Sequence, residues 1–505
     1  MTDRRRTIPD LIAGHAGLAL TAPGRSGLDY AGLAAQIDRA GRQLAGAGIG
    51  PGDAVGIVLP NGPEMATAFL SVASHAVAAP LNPAYTEEEF AFYLDDLKAK
   101  HLIVMRGAET PARAAAARCG AQVIELSAGE AAGEFTLSVD GTALAEAPAT
   151  RNRPEDTALV LHTSGTTSRP KIVPLTARNI CASAENVAVS LALSPADRCL
   201  NVMPLFHIHG LIAAVLASLW AGASISCTPG FDALKFFAWL ESERPSWYTA
   251  VPTMHQAILA RAPRNREIVE RARLRFVRSS SASLPPPVLA ALEETFRCPV
   301  IEAYGMTEAA HQMAANPLPP RARKPGTVGI AAGPEVAVMG ENGEILAPGR
   351  TGEIVIRGEN VTPGYLNNPK ANAENFTNGW FRTGDQGVMD AEGYLTVTGR
   401  LKEIINRGGE KIAPREVDDV LMEHPAVAQV VTFALPHDRL GEEVAAAVVL
   451  AEGATADAAE LREFAAKRLA PFKVPRVIRF VDEIPKGATG KLQRIGLAEK
   501  LGMTA

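Results

Sequence analysis

The sequence predicts an α/β fold. A large amino-terminal region of helix-covered mixed sheets carries a small β-barrel and is followed by a small α+β carboxyl-terminal domain. Three observations predict it. Strand-like and helix-like segments alternate through the first 150 residues, the pattern of a parallel or mixed sheet covered by helices. After Pro325 the helices give way to short strands bounded by glycine, Gly352 to Gly358 and Gly393 to Gly399, as in a small barrel. Past Gly399 comes a compact run of helix, two strands and helix. The predicted division is 1–400, with helix-covered sheets over about 1–325 and the barrel over about 326–400, and then 401–505.

Each element has its own signal. Leu33, Ile37, Ala40 and Leu44 recur at helical spacing, and the apolar run Ala54 to Leu59 is closed by Pro60-Asn61-Gly62. Glu64 to Ala78 reads as the next helix, stopped by Pro80 and Pro83. Leu102 to Val104 and Val123 to Leu126 read as strands around an alanine-rich helix near Ala114. In the last domain the expected elements are a helix at Val417 to Met422, strands Val427 to Leu435 and Glu443 to Leu450, and a helix from Ala458 to Leu469. Cys199 to Phe231 holds no Asp, Glu, Lys or Arg. Pro204, Gly210 and Gly222 interrupt it, leaving Leu211 to Trp220 as an apolar helix too short to span a bilayer, hence a core helix.

Bulk properties narrow the function classes. The 505 residues suggest about three domain-sized units. An apolar content of 47% with 21% charged residues is that of a globular protein, and a net charge of −5 argues against a nucleic-acid partner. The five cysteines are scattered without a CxxC pair, which suits buried thiols in a reducing compartment. No apolar signal core follows the basic Met1 to Arg6, and the chain ends Gly-Met-Thr-Ala, without a Ser-Lys-Leu address. The expectation is a cytoplasmic enzyme with no membrane span, acting as monomer or homodimer.

The most informative segment is Leu161-His162-Thr163-Ser164-Gly165-Thr166-Thr167-Ser168-Arg169-Pro170-Lys171. It follows a strand-like run, Ala158 to Leu161, and precedes a helix-like run after Thr176. Small hydroxyl residues and glycine let the backbone bend tightly, so that its N–H groups gather around phosphate oxygens, and Lys171 adds a point charge. The glycine spacing fits neither the dinucleotide fingerprint nor the Walker loop. Further along stand Tyr304-Gly305-Met306-Thr307-Glu308, Thr383-Gly384-Asp385, Gly399-Arg400-Leu401-Lys402-Glu403 and Pro485-Lys486-Gly487-Ala488-Thr489-Gly490-Lys491.

These five segments, in this order across nearly the whole chain, resemble the adenylate-forming superfamily of acyl-CoA synthetases, adenylation domains and luciferases. The resemblance implies ATP, Mg²⁺ and coenzyme A as cofactors and a two-step reaction. A carboxylate attacks the α-phosphate and expels pyrophosphate, and a thiol then attacks the adenylate. It implies that Glu308 holds Mg²⁺ and that Thr163, Thr307 and the loop Ser164, Gly165, Thr166, Thr167 and Lys171 contact phosphates. Tyr304, Asp385 and Arg400 would fall in the ATP site, with Asp385 accepting from the ribose hydroxyls. Lys491 would neutralise carboxylate and α-phosphate as they meet. It also implies that the carboxyl-terminal domain rotates about a hinge at Lys402 and that Gly408 and Gly409 line the pantetheine tunnel. Paired glycines also mark plain tight turns.

Pro204 to Gly210, Arg278 to Ser283 and Glu308 to His311 fall where the superfamily builds its acyl pocket. His207, Ser281 and His311 are hydrogen-bonding groups, which would be costly to leave unpaired against an alkyl chain, so a small polar acid is the better fit. His209 reads as a core histidine behind them, and for Arg278 a solvent-facing position is the alternative to a place in the pocket. With Thr167-Ser168-Arg169, these segments look like the oxalate–CoA ligase branch. Ligation of another small or aromatic carboxylate (malonate, a coumarate-like acid), or the charging of a carrier protein, are the alternatives. Two departures stand out: Ser168, where most of the superfamily has glycine, agrees with the oxalate–CoA ligase branch, whereas Ile172 is unusual even there. Most of the superfamily has glycine where this chain has Ile172, and a positive φ there would strain a β-branched residue.

Overall fold

The computed structural model describes residues 5–163, 170–487 and 491–503. Among them the strands form four sheets, of nine, eight, five and five strands. The nine-stranded sheet places six strands in parallel: Leu18–Ala22, Ser224–Cys227, Arg198–Asn201, Trp247–Ala250, Phe276–Ser280 and Val300–Met306. The eight-stranded sheet has a parallel centre, Val77–Pro80, Ala54–Val58, His101–Met105 and Gln122–Ala128. Helices pack between and around the two sheets. Tyr30–Gly46 starts where the Asp29 side chain accepts from the Gly32 N–H at 2.7 Å, and it buries Leu33, Ile37, Ala40 and Leu44 as their spacing predicts.

Two expected boundaries move. The helix read over Glu64 to Ala78 spans Pro63–His75, and Val77–Pro80 is a strand. All thirteen residues of that helix are buried, so no polar face marked its end. The barrel expected over about 326–400 is a five-stranded antiparallel sheet whose ladders run as an open path, Glu335–Met339, Thr351–Arg357, Trp380–Met389 and Phe376–Thr377, with Leu395–Arg400 also on Trp380–Met389. The uncharged stretch from Cys199 to Phe231 contributes two buried strands and, between them, a buried helical run from His209 to Trp220 whose first eight residues have π geometry. Among the described residues, no helix is long and apolar enough to cross a membrane.

The last sheet, Glu410–Ile412, Ile405–Arg407, Gly441–Leu450, Val427–His437 and Val477–Phe480, carries the helices Pro414–Met422 and Ala458–Ala466 over its own core of Ile405, Val417, Leu421, Val444 and Leu461. It is seated against the rest of the chain through Arg415, which donates to the Val397 carbonyl at 2.6 Å, and through Gln256, which donates to the Ala428 carbonyl at 3.1 Å.

Candidate active site

The site lies at the carboxyl ends of the parallel strands, where open α/β sheets leave room for ligands. His207 and His209 follow Arg198–Asn201, Ser281 follows Phe276–Ser280, and Thr307 and Glu308 follow Val300–Met306. Thr307 to Ala310 is a four-residue loop joining Val300–Met306 to the antiparallel strand His311–Ala315. The hairpin is so tight that a Cβ on Gly305 would come within 1.9 Å of the His311 carbonyl, so only glycine fits. Ala310 and His311 take φ of 46° and 111°, a conformation costly for both that the surrounding bonds must hold. Asn360 supplies two, donating to the carbonyls of Ala309 (2.8 Å) and Gln312 (3.0 Å), and the Thr362 N–H donates to the Glu308 carbonyl at 2.7 Å.

Glu308 is buried, and its Oε1 accepts from the Tyr365 hydroxyl at 2.8 Å. Burial raises its carboxyl above the usual range, opposed by that hydrogen bond and by Arg400 and Lys171. Lys171 stands with its ammonium 4.4 Å from the centre of the Tyr365 ring, and burial lowers its proton affinity. Sequence reasoning missed Tyr365, since a lone aromatic after Gly364 carries no signal of its partner. Among the described residues no group of three or more His, Cys, Asp and Glu side chains could by itself hold a metal ion. A single desolvated carboxylate fits Mg²⁺, which is commonly bound by one or two carboxylates together with substrate phosphates.

Asp385 and Arg400 face each other across the antiparallel pair Trp380–Met389 and Leu395–Arg400. Asp385 is buried and accepts from Arg400 Nε at 2.9 Å and from the Tyr304 hydroxyl at 2.5 Å. Tyr304, Asp385 and Arg400 thus form one cluster. Lys491 comes to the same place. Removal from water, with the charge of Arg400, pushes its ammonium down to about 8 against the pull of Asp385. It lies close enough to His207, His209 and His311 to lower the proton affinity of each.

Those three histidines form one cluster. Burial is the first cause of their low basicity, with His207 pushed down to about 3 and His209 and His311 further lowered by Arg278. His209 bonds Ser281 Oγ at 3.0 Å and Thr249 Oγ1 at 2.6 Å, and its ring centre is 5.0 Å from that of His311. Both ring nitrogens of the buried His311 lack a partner. Arg278, for which the sequence leaves a solvent-facing position open, is fully buried, because Phe276–Ser280 is an interior strand of the nine-stranded sheet.

The phosphate segment differs from the expected strand, loop and helix. Thr157–His162 pairs antiparallel with Ile172–Thr176, and only then does the helix Ala177–Ser190 begin, opened by reciprocal Thr176 and Asn179 caps. Thr163 and Lys171 continue this pairing, the Thr163 N–H donating to the Lys171 carbonyl at 2.9 Å and the Lys171 N–H to Thr163 Oγ1 at 3.2 Å. Ser164, Gly165, Thr166 and Thr167 lie outside the described residues. Ile172 has no positive φ. It is an ordinary strand residue, buried with Val77, Ala79 and Val160, and the expected strain is absent. Lys402 is exposed in a turn from Leu401 to Glu403, and its charge acts on Lys171. Gly408 and Gly409, with φ of 59° and 96°, are the two-residue turn joining Ile405–Arg407 to Glu410–Ile412.

Lys491, its proton affinity lowered by burial, lies between the cluster of Tyr304, Asp385 and Arg400 and the buried histidines, an arrangement that suits the class of enzymes joining an acid to a nucleotide. The comparisons agree with that class. The profile of the AMP-binding enzyme family matches residues 14–366, and that of the AMP-binding enzyme C-terminal domain matches 416–491. The chain belongs to the AMP-binding enzymes, the adenylate-forming superfamily. It is 47% identical over 483 residues to the oxalate–CoA ligase of Arabidopsis thaliana, covering 94% of each chain. It is 43% identical over 475 residues to the oxalate–CoA ligase of Saccharomyces cerevisiae, covering 88% of this chain and 86% of that one. The ATP-bound structure of MatB from Rhodopseudomonas palustris superposes with a TM-score of 0.89 at 29% identity, over 98% of this chain and 99% of that one.

Proposed function

We propose that the protein is an ATP-dependent oxalate–CoA ligase that forms oxalyl-adenylate with release of pyrophosphate and then the CoA thioester. The observation that carries the reading is the pocket itself: His207, His209, His311 and Ser281, with cationic Lys491 and Arg278, and no carboxylate paired to either cation among the described residues. A small dianion satisfies such a site, whereas an alkyl chain would leave its donors unpaired. The oxalate–CoA ligase relatives support the same acid.

In the first step Lys491 neutralises the attacking carboxylate and the α-phosphate as they approach, and Lys171 and Thr163 hold the outgoing phosphates. Asp385 accepts from the ribose hydroxyls, with Arg400 and Tyr304 fixing its carboxylate. Glu308, oriented by Tyr365, would hold Mg²⁺, which supplies charge neutralisation on the phosphates when bound. In the second step the unit from about residue 401 turns about Lys402 and withdraws Lys491, and the Gly408-Gly409 turn lines the thiol's path.

Pyrophosphate release from ATP tests the reading across oxalate, malonate, acetate, benzoate, coumarate and octanoate, with and without coenzyme A. Oxalate is expected to give the highest kcat/KM and to need no thiol for pyrophosphate release. A preference for octanoate or coumarate would sink the oxalate assignment and leave family membership intact.

A further inference from the structure

Behind the His209 ring lies a cation without a counter-ion. Arg278 is fully buried, and its charge is opposed by no carboxylate among the described residues. Its Nη1 approaches His209 Nε2 at 3.3 Å and Thr249 Oγ1 at 3.4 Å, its Nη2 donates to Gln312 Oε1 at 3.2 Å, and its Nε has no partner. All three partners are neutral. Burial lowers the guanidinium only to about 9, so it stays charged at neutral pH. A buried charge held by neutral groups alone is costly unless something else supplies the opposite sign. A purely structural bridge to Thr249 and Gln312 needs hydrogen bonds, not a charge.

The hydrogen bonds also have a direction. A guanidinium only donates, so His209 Nε2 accepts and His209 Nδ1 carries the proton. That proton is donated to Ser281 Oγ at 3.0 Å, which leaves the Ser281 O–H free to donate elsewhere. The positive charge of Arg278 further disfavours protonation of His209 and His311.

We propose that Arg278 is the specificity-determining positioning residue of the acyl pocket: through His209 it makes Ser281 a donor, and its unpaired charge selects an acid with a second negative group over a neutral-ended acid of the same size. The inference rests on the acyl-pocket reading above and deepens it by assigning Arg278, which contacts His209, a role in choosing the acid.

The test uses the full chain at saturating ATP, with pyrophosphate release read for oxalate and for oxamate, which replaces one carboxylate by a neutral amide. Wild type is expected to favour oxalate by at least tenfold in kcat/KM. Arg278→Met should lose at least tenfold for oxalate, carried in KM, while oxamate changes less than threefold, and Arg278→Lys should restore most of the preference. An equal fall for both acids in Arg278→Met would make the residue structural and overturn the proposal, as would a folded Arg278→Lys without the preference. Should Arg278→Met fail to fold, the wild-type ratio decides, and a ratio near one overturns it. If wild type ignores oxalate but accepts malonate, the oxalate assignment falls, and malonate with its monoamide tests Arg278 in the same way. A wild type that takes only monoacids overturns both.

Discussion

At the scale of the residue, Lys491 carries the sharpest consequence. Its ammonium titrates near 8, pushed down by burial and Arg400, so an appreciable fraction is neutral just above physiological pH. The adenylation step needs the charged form. Pyrophosphate release should therefore be flat below about pH 7 and fall as pH rises through 8, and a flat alkaline limb would refute the assignment. Lys491→Ala should slow this step about 10²–10³-fold, by analogy with deleting one oxyanion donor, and abolish the limb. Thioester formation from supplied acyl-adenylate should be little changed in that variant, because the lysine acts only while the α-phosphate is attacked. Equal loss in both steps would refute the division of labour. The convergence of Lys491, Glu308, Asp385 and Arg400 was legible in the sequence because each sits in a motif. Tyr365 and Arg278 were not, since their significance lies in one hydrogen bond and one missing counter-ion, neither of which has a linear signature.

At the scale of the element, the hairpin Thr157–His162 with Ile172–Thr176 decides what Ile172 does. It pairs with His162, its carbonyl accepts from the Leu366 N–H at 3.0 Å, and its side chain is 4% exposed in a small cluster with Val77, Ala79 and Val160. Glycine there removes the packed side chain and adds unfolded-state entropy, together on the order of 4 kcal/mol. Ile172→Gly is expected to unfold at lower denaturant with no gain in ATP affinity. A stabilised variant would mean that the isoleucine is strained after all. The sequence could not show this, because a strand of five residues between a Ser/Thr-rich loop and a helix has too few residues to display its period. The Gly408-Gly409 turn gives the opposite case. Both glycines are required by their φ, so any side chain placed there disturbs the hairpin as well as a thiol path.

At the scale of the whole molecule, the alternation of strand and helix and the change of character after Pro325 made the sheets legible, because they are properties of long stretches. How the last unit is seated was not legible, since it depends on charges that meet only in three dimensions. Glu302, on Val300–Met306, is 1% exposed; its Oε1 accepts from the Leu284 N–H at 2.9 Å and its Oε2 has no partner. The charges acting on it come from the helix Pro414–Met422: Arg415 stabilises its carboxylate and Asp419 opposes it, and burial, the largest cause, raises it to about 7. Asp419 is itself raised to about 6, by burial first. In a state where the helix has moved away and water reaches the strand, Glu302 returns towards its ordinary value of about 4.3. The seated state therefore binds the extra proton. Its advantage is fully present below the ordinary value and is lost as pH rises through about 7. Hydrogen exchange in Pro414–Met422 should accordingly quicken between pH 5.5 and 7.5 beyond the intrinsic chemical rate, and Glu302→Gln, neutral at every pH, should flatten that rise. If the helix exchanges with the same pH slope in both proteins, Glu302 does not govern the seat.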